Sequence, residues 1–160
     1  MLVARKIKGA IIALVLIGAG AWLAHLHVVS QAYHPVVRVN APEGLSYVAV
    51  LDPTSERQAC GAANERFLRP VKEGCKKCEV AYARCERRLE PLEQDLYDGK
   101  AIGYHRVYAP GVRVAILGPA SAAKATCEFL AADMMKRGMP SAACLNPMPG
   151  APRVENKKAP

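Results

Sequence analysis

No G-x-S-x-G turn, P-loop or G-x-G-x-x-G loop occurs in this chain, and its one "GAGA" lies inside an apolar run. These absences exclude the serine-hydrolase elbow and the common glycine-rich cradles for phosphate and dinucleotide. Aromatic residues make up only 6% of the chain. None is interleaved with basic residues as a stacking platform, and the basic residues alternate with acids, as in "RFLRPVKEG" and "CERRLEPLEQD". Nucleic acid is therefore not an expected partner. Histidine is scarce too. His25, His27 and His34 lie in or just after the apolar run, which leaves His105 alone in the body of the chain. It sits in a β-like run beside Tyr104 and Arg106 with no evident acidic partner, which suits a structural or exposed side chain better than a catalytic one. No N-x-S/T sequon is present, which favours a bacterial envelope over a eukaryotic secretory route.

One long hydrophobic run is present. Arg5, Lys6 and Lys8 precede an uncharged stretch from Gly9 to Leu26, and only Arg38 follows within fifteen residues. As a helix the stretch spans roughly 27 Å, near the thickness of a bilayer core. The positive-inside bias then sets residues 1–8 in the cytoplasm, a signal-anchor helix over 9–29, and the rest outside. A cleaved leader with "SQA" as its cleavage site is the rival reading; both export the body of the protein. The expected placement is single-pass in the inner membrane, with a periplasmic C-terminal domain.

Residues 30–44 read as an extended linker, and the proline-containing segment 146–160 as a disordered tail. Between them, residues 45–145 form a domain whose core alone would be marginal at that size. "LSYVAVL", "CEVAYAR", the two runs around Pro110-Gly111, and "SAACL" carry strand signals. "TSERQACGAANERFLR", closed by Pro70, "PLEQDLYDG" and "SAAKATCEFLAADMMKRG" carry helix signals. The order β-α-β-α-β-β-α-β predicts an α/β domain with a small, largely parallel sheet flanked by helices. A faint echo links "VAVLDP" (48–53) to "VAILGP" (114–119), each followed by a helix that bears a cysteine.

The six cysteines suit staples in an exported domain. In a parallel β-α-β unit the helix begins where the next strand ends. This pairs Cys60 with Cys85 and Cys127 with Cys144, and leaves Cys75 to Cys78. "CKKC" is also the spacing of a thiol–disulfide oxidoreductase, but it precedes a strand rather than a helix, so no helix dipole would activate a thiolate. A zinc site from Cys60, Cys75, Cys78 and Cys85 lacks the usual second C-x-x-C knuckle. No metal or cofactor is expected.

Ligands of open α/β sheets bind beyond the carboxyl ends of strands. The candidates there are Asp52, Thr54, Ser55 and Arg57 after the first strand, Glu86 and Arg87 after the second, and Ser121 and Lys124 after the fourth. Hydroxyls at helix starts and several cations could hold a small anion, although caps, turns and solvated charges explain the same residues. The expected function is a membrane-anchored, non-catalytic accessory module that contacts another envelope or inner-membrane protein, or an acidic envelope polymer. The alternatives are an envelope enzyme or small-anion receptor built around Asp52, and a redox protein using Cys75 and Cys78.

Overall fold

A computed structural model describes residues 32–100 and 102–151. Six strands alternate with three helices: β1 (His34–Asn40), β2 (Ser46–Leu51), α1 (Arg57–Gly74), β3 (Glu79–Glu86), α2 (Pro91–Tyr97), β4 (His105–Ala109), β5 (Val112–Leu117), α3 (Ala120–Lys136) and β6 (Ala143–Leu145). They form one sheet in the order β3-β1-β2-β5-β4-β6. All five strand pairings are antiparallel.

This corrects the expected, largely parallel sheet. The source of the difference is β1, "HPVVRVN", which lies in the stretch read as linker. Pro35 breaks the strand pattern for a reader of the sequence, but at the second position of the strand its missing N–H costs little pairing. The four residues after it supply Val36, Val37 and Val39, all buried. β1 inserts between β2 and β3 and pairs with both. Strands β2 and β3 therefore point the same way, as a β-α-β crossover requires, without touching.

The two halves of the sheet repeat one plan. In each, a hairpin (β1-β2, β4-β5) is followed by a helix (α1, α3) and a strand (β3, β6) that pairs with the hairpin's first strand. The halves join through β2 and β5, in register from Ser46↔Leu117 to Leu51↔Val112. The sequence echo is one residue out of step with this repeat. Val48 belongs to one face of the sheet and Val114 to the other, because an odd offset along a strand exchanges faces.

Helices cover both faces. Against one face, α1 and α3 bring Leu68, Ala123, Cys127 and Ala131 onto Val37, Val39, Ala49, Val107, Val114 and Ile116. Against the other, α2 brings Leu96 onto Val48, Val50, Ala115 and Leu117, with Ile102 beside it. Helix α1 runs through Pro70 instead of stopping there. The buried Leu68 and the packed Val71 flank that proline, and their burial offsets the lost intrahelical bond. Neither Thr54, Ser55 nor Ser121 caps a helix: Glu56 and Pro119 hold the N-cap positions of α1 and α3, without side-chain cap bonds.

The expected membrane helix over 9–29 and the segment 1–8 lie outside the described residues, as does most of the expected tail. Of that tail, Met148 N–H donates to Ile102 O at 3.2 Å. Among the described residues no helix is long and apolar enough to cross a membrane. The single-pass inner-membrane placement therefore has no structural support. An α/β domain closed by three disulfides stands in its place.

Two glycines report on this packing in opposite senses. Gly118 sits at φ 143°, where an added Cβ would come within 2.9 Å of Leu45 Cδ2 and 3.0 Å of Gly44 O, whereas nothing lies within 4 Å of the same position at Gly61. Gly118→Ala is expected to cost about 2 kcal/mol in urea unfolding. Gly61→Ala, inside α1, is expected to be neutral or stabilising by up to about 1 kcal/mol.

Candidate functional site

The open part of the α2 face, over β1 and β3, holds a polar cluster built on a buried acid. Strand alternation brings Arg38, Tyr82, Arg84 and Glu86 to this side, since Arg38 pairs with Tyr82 and Val36 with Arg84. The cluster centres on Glu93 in the first turn of α2, which is only 1% exposed. Arg84 Nη2 donates to Glu93 Oε1 at 2.6 Å and to Glu90 Oε1 at 2.7 Å. The Tyr82 hydroxyl donates to Glu93 Oε1 at 3.1 Å. Glu90 N–H donates to Glu93 Oε2 at 3.0 Å, one arm of a capping box. The Arg84 guanidinium also lies 4.4 Å from the centre of the Tyr82 ring.

Charge balance explains the titration of these groups. Burial, then the Glu93 carboxylate, pushes the Tyr82 phenol up to about 12. Burial works against the charge on Arg84, yet the hydrogen bonds it donates to Glu90 and Glu93 hold it above its usual range.

A cleft of about 160 Å³ opens beside this cluster, lined by Arg38, Val48, Tyr82, Glu90, Leu92, Glu93 and Leu117 among others. Pockets for small organic ligands generally occupy about 300 Å³ or more. The cleft has room for about five waters at roughly 30 Å³ each. Its buried acid is already committed to three donors. The arrangement locks α2 onto β3.

The strand-end residues divide into two groups. Asp52, Thr54, Ser55, Arg57, Glu86 and Arg87 fall at one end of the sheet, because β2 and β3 run the same way. Asp52 pairs with Arg113 Nη1 at 3.0 Å. Thr54 bridges to Tyr33, and its hydroxyl donates to Glu56 O at 3.0 Å. Arg87 donates to the Tyr33 hydroxyl at 2.6 Å, with its guanidinium 4.8 Å from that ring's centre. Glu86 lies 3.7 Å from Arg84 Nε; Ser55 and Arg57 are exposed. Ser121 and Lys124 follow β5, which runs antiparallel to β2, so both lie at the far end of the sheet. There Lys124 faces Glu128 at 3.9 Å. Asp52, Arg57, Glu86 and Lys124 thus do not share one pocket.

All six cysteines are bonded. Cys60–Cys85 and Cys127–Cys144 tie α1 to β3 and α3 to β6, with Cα separations of 6.0 and 5.4 Å. Cys75–Cys78 closes the turn between α1 and β3. Cys75 is the C-cap of α1, at the negative end of the helix dipole, where a thiolate is disfavoured. Cys60 and Cys75 sit at opposite ends of the 18-residue α1, which keeps the proposed four-thiolate zinc set apart.

Sequence reasoning missed two features. One is His105, which is buried against the Cys127–Cys144 disulfide; its ring nitrogen and the two sulfurs lie within 4.8 Å of one another. Burial, then nearby Lys124, lowers its pKa, with Glu128 opposing. The other is the outer side of α3. Phe129 is 70% and Met135 46% exposed, and Ala125 is exposed beside them, with Ala122 and Ala132 partly so. Spacings of three and four align Ala125, Phe129 and Ala132 on one stripe, opposite the buried Ala123, Cys127 and Ala131, while Ala122 at its edge packs against the core. The spacing was readable in the sequence, but which of the two apolar faces is covered was not. Comparison with protein-family models, curated proteins and solved structures finds no match.

The Glu93 cluster makes two expectations. Glu93→Ala should lower stability in urea by about 3 kcal/mol, since it strips a buried partner from Arg84 and Tyr82. The phenol of Tyr82 ordinarily titrates at 10.0 and in the folded chain near 12. The stability it contributes is therefore complete below pH 10 and lost as pH rises towards 12. Tyr82→Phe should flatten that alkaline limb of the unfolding midpoint against pH; an unchanged limb would refute the assignment.

Proposed function

We propose that this chain is a non-catalytic interaction module that self-associates through the outer face of α3. The observation that carries the reading is that the outer side of α3 leaves Phe129, Ala125 and Ala132 uncovered among its charged residues. A surface helix ordinarily turns its charge outward and its large apolar side chains inward. Here Phe129 stands 70% exposed in a stripe of alanines that permits close approach by another helix.

The occupant is a second copy of this chain. Laid antiparallel on itself, the stripe sets Ala125 against Ala132 and brings the two Phe129 side chains to either side of the two-fold axis. Such a two-fold contact is the commonest route to a homodimer. A single helix pair falls below the roughly 1,200 Å² of a standard interface, so the association is weak, with a dissociation constant of about 1 μM or higher. A non-catalytic role is supported by the engaged state of the polar clusters: Glu93 is spent on α2, Asp52 on Arg113, and the cysteines on staples.

Sedimentation of the full chain in mild detergent, from micromolar to millimolar concentration, tests this. The mass should rise from monomer to dimer. Phe129→Glu should weaken the dimer more than about tenfold, and Lys72→Glu on α1 should leave it unchanged. A monomer throughout, or a dimer indifferent to Phe129→Glu, would overturn the reading.

A further inference from the structure

We propose that reductive opening of the Cys127–Cys144 disulfide converts its corner of the fold into a zinc site with His105 as the third protein ligand. The corner is assembled by three elements. His105 opens β4, Cys127 lies mid-way along α3, and Cys144 lies on β6, opposite Val107 of β4. Their ligand atoms already sit within 4.8 Å of one another. Tetrahedral zinc, with bonds of about 2.3 Å to sulfur and 2.0 Å to nitrogen, sets its ligand atoms roughly 3.5–3.8 Å apart. Opening the bond lets the two sulfurs part to that spacing while side-chain rotation brings the imidazole nitrogen in, and the Cα separation of 5.4 Å need not change.

The imidazole is poised for this. His105 is 8% exposed, and its Nδ1 has no hydrogen-bond partner among the described residues. A buried polar atom left unpaired is costly, and most such atoms in folded proteins are paired. A metal ion is one partner that would repair it. Among the described residues the other two disulfides have no such neighbour. Beside Cys85 stands the Asn64 amide, its Nδ2 at 3.8 Å from the sulfur, which is not a zinc ligand. Cys75–Cys78 lies in a turn between exposed lysines, Lys76 and Lys77.

The chemistry balances with a dithiol as reductant. The dithiol supplies two electrons and two protons, the S–S bond breaks to two thiols, and the dithiol leaves as its own disulfide. Zinc then displaces both thiol protons to solvent and takes the lone pair of His105, and water fills the fourth position. The corner would thus exchange a covalent staple for a metal staple when the surroundings turn reducing.

Cobalt(II) serves as an optical probe of the full chain carrying Cys75→Ser and Cys78→Ser, which removes the closely spaced C-x-x-C thiols as competing ligands. Oxidised, the chain should show no tetrahedral cobalt bands. After reduction by a phosphine it should bind one equivalent, with thiolate-to-cobalt charge transfer, and His105→Asn should weaken binding by more than about tenfold. In the reduced wild-type chain, zinc should shield Cys127 and Cys144 from alkylation and leave Cys60 and Cys85 open, as read by mass spectrometry. No bands on reduction, bands indifferent to His105→Asn, or equal shielding of Cys60 and Cys85 would each overturn the proposal.

Discussion

The antiparallel pairing of β2 with β5 is the contact on which the rest of the molecule depends. It joins two halves of like plan at the centre of the sheet, and it sets the direction of every other strand. With β2 and β5 opposed, the chain leaves the sheet at opposite ends after each of them, so α1 and α3 start at opposite ends and return side by side on one face. The other face receives only the short α2, held over the joint by Leu96 and anchored by Glu93. A one-residue slip of this pairing would turn Val114 and Ile116 away from α1 and α3 and expose what they now bury.

The disulfides are subordinate to that geometry. Each of the two long-range bridges links a helix to the strand that follows it, inside one half of the sheet. Neither crosses the β2–β5 joint, which is held by ladder hydrogen bonds and by buried valine, alanine, isoleucine and leucine. In the chain-entropy picture, bridges closing loops of 25 and 17 residues contribute roughly 3 kcal/mol each. For a domain of this size that is comparable to much of the net stability of a small core. The bridge in the second half stands beside a buried histidine, a metal-ligating side chain; the one in the first stands beside the Asn64 amide, which donates to a strand carbonyl. The same architectural device therefore differs in chemical reach between the halves.

Placement of charge is governed by the same alternation. Residues that read as one strand-end cluster, Asp52 to Arg57 with Glu86 and Arg87 and then Ser121 with Lys124, would meet only if all strands ended together. In an antiparallel sheet they cannot, and the last two fall a full strand length from the others. Conversely, Arg38, Tyr82, Arg84 and Glu93 meet because alternate residues of β1 and β3 share the face on which α2 begins. Nothing in their linear spacing announces it.

Local chemistry determined the elements by itself. Valine-rich runs made strands, Pro91 with Glu90 and Glu93 made the start of α2, Pro110-Gly111 turned the β4–β5 hairpin with Gly111 at φ 81°, and the alternation of helix and strand placed the chain among α/β folds. What only the tertiary structure decided was neighbourhood. That "HPVVRVN" is a central strand rather than a linker, that every pairing is antiparallel, that His105 rests on a disulfide, and that the outer face of α3 stays bare are all facts about which surfaces meet. Propensity and periodicity act over a few residues along the chain. Pairing partners are chosen by how much apolar surface the whole sheet can bury at once, and that quantity exists only after the chain has folded.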